Sequence, residues 1–554
     1  MRADFVRIYK SVHTWTGILS GMALFIAFYT GALTVFKEPI TRWATAPVQA
    51  RLVPLEAAQP LILKALAADP QVARGFAVHL EDAEHVIARM EWEVRDPQAD
   101  DHDETGTRHY GAVLDAKGEV RVQELQPSPL AGFIDVLHRV VGLPADSDPN
   151  RWFMGVVAAL YTLALVSGVV VLLPSLVKDF FALRVGKNLK RMWLDAHNVV
   201  GILSLPFHLV MALTAVVFAY HDQIYDLQDR FLHRGGWGQA FPRPQGEPAS
   251  VPARDPSAML TPAQLVQAAR AAAPGFEPTL LQYQQVTGPR AVVRVWGKDA
   301  AAVSPRAMGG FAAFDPYSGK LLSTDYLPGR QDTPNLFISS FFALHMASFG
   351  GAEVLWMYFL LGMAGAWLFY SGNLLWIETR RRRAARKDPA LPPQRLDARL
   401  MGAATVGVCL GCVCGTSLTI AGGKWLHGAP GDMLAWHQAL YYAMFFGCIA
   451  WAFWRGAAQA AVHLLWAASL LTLAIPLTTL LAWLAPGTGM WAHASPGTLG
   501  VDAVALAGAL CFAWMARATA RRMASGPQDS VWSGRRAPER LSGSVSLAQR
   551  SESR

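Results

Sequence analysis

Eight stretches of this chain are long and apolar enough to read as membrane-crossing helices. They fall at about 14–36, 152–174, 198–220, 353–377, 400–423, 433–454, 458–485 and 498–516, each near the ~20 residues that a helix needs to cross a bilayer. The last is the weakest, because Asp502 shortens its uncharged part. Roughly 115 residues separate the first two stretches and roughly 130 the third and fourth, each enough for a small folded domain. Both insertions follow one plan. In the first, Ala57–Ala68 suits a helix, 76–79 and 85–94 suit strands, and 110–121 reads as a hairpin around Asp115 and Gly118. In the second, Pro262 opens a helix to Ala273, strands follow at 279–285 and 291–296, and Asp315 to Gly319 turns another hairpin.

Charge orients the set. Arg2, Arg7 and Lys10 precede the first stretch; Lys178, Arg184, Lys187, Lys190 and Arg191 lie between the second and third; Arg380–Arg383, Arg386 and Lys387 follow the fourth. Arg455 divides the sixth from the seventh, and Arg517, Arg521 and Arg522 follow the eighth. With eight spans every cluster falls on one side, the cytoplasmic one by the positive-inside rule. The formal net charge of +8 is then a topology signal, spread over membrane flanks rather than gathered for nucleic acid. Hydrophobic residues at 52% and charged ones at 16% agree with a membrane protein.

The expected fold is a multi-pass α-helical membrane protein of about eight spans, with two small α+β domains inserted in a parallel duplicated repeat. Its parts are a first span within 1–36, a periplasmic domain at 37–150, spans two and three with their basic loop at 151–221, and a second periplasmic domain at 222–343. A fourth span at 344–377, a basic loop at 378–399, four more spans at 400–516 and a disordered cytoplasmic tail at 517–554 complete it. Ala44-Thr45-Ala46 imitates a signal-peptide cleavage site, but the apolar run before it is too long for one and Pro47 follows.

Histidines mark the ends of the repeated spans. His13-Thr-Trp15-Thr-Gly17 opens the first and Asp195-Ala-His197-Asn-Val-Val-Gly201 the third. Leu137-His138 and Leu344-His345 stand before the second and fourth. Ionisable groups at membrane depth need partners or a function. A pseudo-twofold axis along the membrane normal would bring His13 near His197 at the inner face and His138 near His345 at the outer, the arrangement that holds a b-type haem between two imidazoles. On a continuous helix His208 lies ~20° around and ~16 Å beyond His197, so it is an alternative outer ligand. His221 is on a different face and is kept as a substrate or domain contact. Asp195 either orients His197 or caps its helix. His437 and His463 read as packed or hydrogen-bonded, His79, His85, His102 and His109 as surface residues, and Asp96–Glu104 as a solvated acidic loop. Cys409, Cys412, Cys414, Cys448 and Cys511 read as small packing residues, with a Cys409–Cys412 thiol relay as the alternative.

The His13-x-Trp-x-Gly and His197-x-x-x-Gly motifs, the two Leu-His elements, the paired hairpins and the stretch from His197 to Asp226 resemble the PepSY-associated transmembrane proteins, also called iron-regulated or iron-uptake membrane proteins. The resemblance covers about residues 1–385. It implies a bacterial inner-membrane location, and some of its members are haem-containing ferric-siderophore reductases. The resulting expectation is a chain with two b haems held by His13, His197, His138 and His345, with His208 and His221 near them. It would pass electrons outward to a ferric siderophore or similar chelate in the periplasm. No nucleotide-binding strand-GxGxxG-helix unit occurs, so the donor is a quinol or a separate protein. A haem or iron–siderophore transporter, and a membrane-anchored sensor restraining a protease, are the alternatives. The catalytic residues beyond the histidines, the chelate and the role of the last four spans are left open.

Overall fold

A computed structural model describes residues 3–533 apart from 48–51, 83–85, 95–106, 115–118, 145–147, 178–180, 182–188, 229, 232–252, 304–308 and 388–393. Lys178, Arg184, Lys187, His85, His102, the acidic loop Asp96–Glu104, the Asp115–Gly118 turn and the tail beyond Ser533 lie outside these residues.

Helix α1 (Ala3–Thr34) starts well before its apolar core, so His13 sits inside the helix and not at its mouth. Short α2 (Lys37–Ala44) follows. In the first insertion, α3 (Ala58–Ala68) precedes β1 (Gly75–His79), β2 (Met90–Val94), β3 (Arg108–Leu114) and β4 (Val120–Leu125). Helix α4 (Leu130–Arg139) returns the chain to α5 (Asp148–Leu172). The second half repeats this order. Helices α6 (Leu189–Leu203) and α7 (Leu205–Ala219) correspond to α1, and α8 (His221–Gln228) to α2. Then come α9 (Pro262–Ala272), β5 (Glu277–Gln284), β6 (Val292–Lys298), β7 (Gly310–Phe314), β8 (Leu321–Tyr326), α10 (Thr333–Met346) and α11 (Gly351–Lys387). Four long helices end the chain: α12 (Leu396–Trp425), α13 (Met433–Arg455), α14 (Ala457–Leu484) and α15 (Pro496–Ser525).

Among the described residues, six helices are long and apolar enough to cross a membrane: α1, α5, α11, α12, α14 and α15. The bent pair α6–α7 makes a seventh candidate. Helix α13 is long enough, but its Trp, Tyr and His residues lower its apolarity. The third stretch is therefore not one straight helix. It bends by 67° at Ser204, because Pro206 has no N–H to continue the ladder and its ring crowds the preceding turn. The rotation and rise computed for a continuous helix from His197 to His208 do not hold across this break. Nor does the tail begin at 517: α15 continues to Ser525, and Glu378 accepts hydrogen bonds from Ser530 Oγ and Val531 N, both at 3.1 Å. Trp532 behind them is buried.

The two inserted domains are one sheet. Its strand order is β4-β3-β2-β1-β5-β6-β7-β8, antiparallel throughout and mirrored about the β1–β5 pair. Pairing Gly75–His79 with Leu280–Gln284 removes the exposed edge that each half would present alone. Alternation puts Phe76, Val78, Leu281, Tyr283, Val293 and Val295 on the face covered by α3 and α9. Phe76 stacks on Tyr283 across the junction at 4.5 Å. The insertions thus share a core as well as a sheet. Thr261 and Gln264 form a capping box at the start of α9, as the Thr-Pro sequence leads one to expect.

Small residues let the C-terminal helices approach closely. A Cβ on Gly407, Gly411 or Gly415 of α12 would stand within 3.1 Å of α13 atoms, the small-residue packing of membrane helices. Cys409, Cys412, Cys414 and Cys448 are buried free thiols in this interface, and Cys511 is an exposed one.

In the β7–β8 turn, Asp315 takes 3.0 and 3.2 Å hydrogen bonds from Arg254 and further ones from the Tyr317 and Ser318 N–H groups. Partial burial pushes its pKa up, but these donors outweigh it and hold the carboxyl at about 2. Its folded pKa lies below the ordinary 3.8, so its stabilisation is complete above about pH 4 and lost as pH falls towards 2. Asp315→Asn should lower the thermal midpoint at pH 7 and flatten its fall between pH 4 and 2. Identical pH slopes in both proteins would refute this role.

Candidate functional site

Helices α4 and α10 each carry one histidine at the end nearest the membrane helices. Helix α4 is strongly amphipathic, burying Leu130, Phe133, Ile134 and Leu137, and this seats His138 against α1. Helix α10 is started by Asp332, whose side chain accepts from Asn335 N at 2.9 Å. His138 Nδ1 donates to the Ala27 carbonyl at 2.7 Å, and His345 Nδ1 bonds Thr214 Oγ1 at 2.8 Å. The two ring centroids are 6.1 Å apart. Two imidazoles on one metal ion, with nitrogens at about 2 Å, have centroids roughly 6.3 Å apart. Gly31 leaves the space for His138: a Cβ there would lie 2.7 Å from Nδ1.

A cavity of about 1280 Å³ opens at this pair. Phe28, Phe207, Phe218, Met211 and Tyr358 line its membrane part, and His79, Leu280, Trp296 and Lys298 from the sheet close the other end. Lys37, Asp135 and Arg139 stand between. Lys37 and Arg139 both approach Asp135 at 3.5 Å. Such a volume exceeds the usual 300–1,000 Å³ of small-molecule pockets, enough for a large planar group together with part of a ligand above it.

A second pair lies deeper. His13 Nδ1 donates to the Ala164 carbonyl at 2.8 Å, and a Cβ on Gly168 would lie 3.0 Å from its ring. His197 Nδ1 bonds Ser371 Oγ at 3.0 Å, and a Cβ on Gly372 would lie 3.4 Å away. His13 and His208 are both within electrostatic reach of His197. From His13 to Ala27, which holds His138, α1 advances fourteen residues, about 21 Å. The pairs therefore occupy two depths of the same helix cluster.

His208 sits among Phe28, Phe207 and Phe369, with Nδ1 2.6 Å from the Tyr161 hydroxyl and Nε2 buried without a partner. His221 is apart from these groups: it opens α8, Nδ1 donates to the Phe218 carbonyl at 2.7 Å and Nε2 meets Asp222 at 3.1 Å. Asp195 is buried and pairs with Arg191 at 3.2 Å in mid-helix. It neither caps α6 nor orients His197, whose Nδ1 Ser371 holds. His437 is packed as expected, yet neither ring nitrogen has a hydrogen-bond partner. His463 accepts from Trp451 Nε1 at 3.2 Å. His79 and His109 pair with Glu91 and Glu93 at 2.6 and 3.5 Å. His79 also lines the cavity, a position its surface reading did not anticipate. The residues that seat the rings, Gly31, Gly168, Gly365 and Gly372, carried no sequence signal beyond being glycines in apolar runs.

Among the described residues no three His, Cys, Asp or Glu side chains gather to hold a bare metal ion. Paired imidazoles suit a metal whose other ligands come from a macrocycle. A family model described as the PepSY-associated TM region matches residues 10–379, and the chain belongs to that family. No curated protein matches the sequence.

Gly31→Ala should push His138 out of its seat and lower the thermal midpoint of the purified protein, as overpacking of about 1–3 kcal/mol does. Gly17→Ala, with nothing within 4 Å of its Cβ, should leave the midpoint unchanged or raise it. Equal effects would show that the Gly31 contact is not constraining.

Proposed function

Starting from its place in the PepSY-associated transmembrane family, we propose that this protein is a haem b-containing membrane oxidoreductase that reduces a ferric siderophore or similar ferric chelate. One observation carries the reading. Four histidines stand at two depths, His138 and His345 with their rings 6.1 Å apart, each with Nδ1 hydrogen-bonded and no Nε2 hydrogen bond among the described residues. An Nδ1–H held by an acceptor leaves Nε2 as the lone pair that a metal needs. His138 and His345 would hold one haem at the mouth of the cavity, and His13 and His197 the other. A bis-imidazole haem supplies one-electron transfer without ligand exchange.

The remaining roles belong to the chain. Phe28, Phe207, Phe218 and Tyr358 keep water from the outer pair. The cavity between that pair and the sheet gives a chelate a place to dock, within reach of Lys37, Arg139, Lys298 and Trp296. Counting α13 as a span gives eight, with both termini in the cytoplasm and the sheet in the periplasm of a bacterial inner membrane. Electrons moving outward then run with the membrane potential, worth ~2.3 kcal/mol per 100 mV. Each iron takes one electron, and Fe(II) is held less tightly by anionic oxygen donors, so it leaves the chelate. The electron comes from a quinol or a separate protein. His208, with its buried Nε2 lacking a hydrogen-bond partner, stands among Phe28, Phe207 and Phe369 as an alternative ligand.

The test is a dithionite-reduced difference spectrum of the full chain and its variants. His138→Ala and His345→Ala should each lose one haem, His13→Ala and His197→Ala the other, and His221→Ala neither. All four should abolish ferric-chelate reduction by the reduced protein. Unchanged haem absorbance in His197→Ala and His345→Ala would overturn the assignment.

A further inference from the structure

The four paired histidines differ in what holds Nδ1, and the difference follows the duplication. In the first half the acceptors are backbone carbonyls, of Ala164 for His13 and Ala27 for His138. In the second half they are hydroxyls, of Ser371 for His197 and Thr214 for His345. A carbonyl can only accept. A hydroxyl can do either, unless its proton is already used.

Each hydroxyl also has a carbonyl of its own helix to which it can give its proton. Ser371 Oγ donates to the Leu368 carbonyl at 3.1 Å. Thr214 Oγ1 donates to the Val210 carbonyl at 2.7 Å. Each is a side chain bonding back to its own helix. With its proton on that carbonyl, each hydroxyl offers the imidazole a lone pair, and His197 and His345 then present Nδ1–H and keep Nε2 bare.

Resting on the haem reading above, we infer that Ser371 and Thr214 are positioning residues. They fix His197 and His345 in the ligating tautomer and set the electron-donating strength of one imidazole in each pair. A hydroxyl is a poorer acceptor than a helix carbonyl, so each pair combines a carbonyl-backed imidazole with a hydroxyl-backed one. The hydroxyl-backed member is adjustable by side-chain change alone. Losing its acceptor makes the imidazole a weaker donor, which favours ferrous over ferric iron and raises the midpoint potential.

The experiment is an optical redox titration of the full chain in lipid nanodiscs, with haem content measured alongside. Ser371→Ala should raise the potential of the deeper haem alone, and Thr214→Val that of the haem beside the cavity alone. Removing such outer partners typically alters metal affinity tenfold or more, and a tenfold change in the ferric-to-ferrous affinity ratio is about 59 mV for one electron. Ser371→Thr and Thr214→Ser, which keep the hydroxyl, should restore both potentials. Loss of only the matching haem in the hydroxyl-free variant, with retention in the hydroxyl-keeping one, also supports the role. Two bound haems with unmoved potentials would overturn it, as would loss of both haems from either hydroxyl-free variant. Failure of the haem reading itself is separate: it appears as full haem content in His197→Ala, whatever Ser371 does.

Discussion

A bilayer supplies no water to an imidazole, so each ring nitrogen at membrane depth must find a protein partner or bind something else. That requirement organises the helical half of this protein. His13, His138, His197 and His345 each place Nδ1 on an oxygen of a neighbouring helix, at 2.7–3.0 Å. Those contacts need close helix approach, and glycine provides it for His13, His138 and His197. Nε2 is then the one nitrogen that packing leaves over. The functional reading grows from that remainder.

The second organising feature is the β1–β5 pairing. Two insertions that fold side by side need not be fixed to one another, but a shared sheet and core fix them. The sheet spans both halves above the junction of α4 and α10, and so roofs the cavity at His138 and His345. The repeated order of elements thus places one sheet over the cavity at His138 and His345. The two halves differ in their histidine partners, one using main-chain oxygens and the other hydroxyls.

Much of this could be read from residues alone, because the signals are local. Apolar length found the long helices, although α1, α11 and α15 each run about ten residues beyond the apolar stretch that marked them, and Asp315 with Gly319 marked the β7–β8 turn. Of the histidines repeated at equivalent places, His138 and His345 stand with their rings 6.1 Å apart. What could not be read is non-local. Edge pairing of β1 with β5 depends on two segments some two hundred residues apart, and neither strand's alternation names its partner. The bend at Ser204 is the exception, a local feature marked by Pro206 inside an apolar run that otherwise reads as continuous. Hydropathy treats α13 poorly because Trp, Tyr and His score as polar yet pack well. The glycine seats and hydroxyl acceptors were invisible, since their meaning comes only from the ring opposite them.

The most direct measurement is the haem stoichiometry and ligation of the intact chain expressed with ample haem. Pyridine haemochrome analysis combined with electron paramagnetic resonance of the oxidised protein gives both. Two haem b per chain, both low-spin with two nitrogenous axial ligands, is the result that paired imidazoles require. Protein that folds, inserts and carries no haem, or holds it high-spin with a single imidazole, would contradict the account.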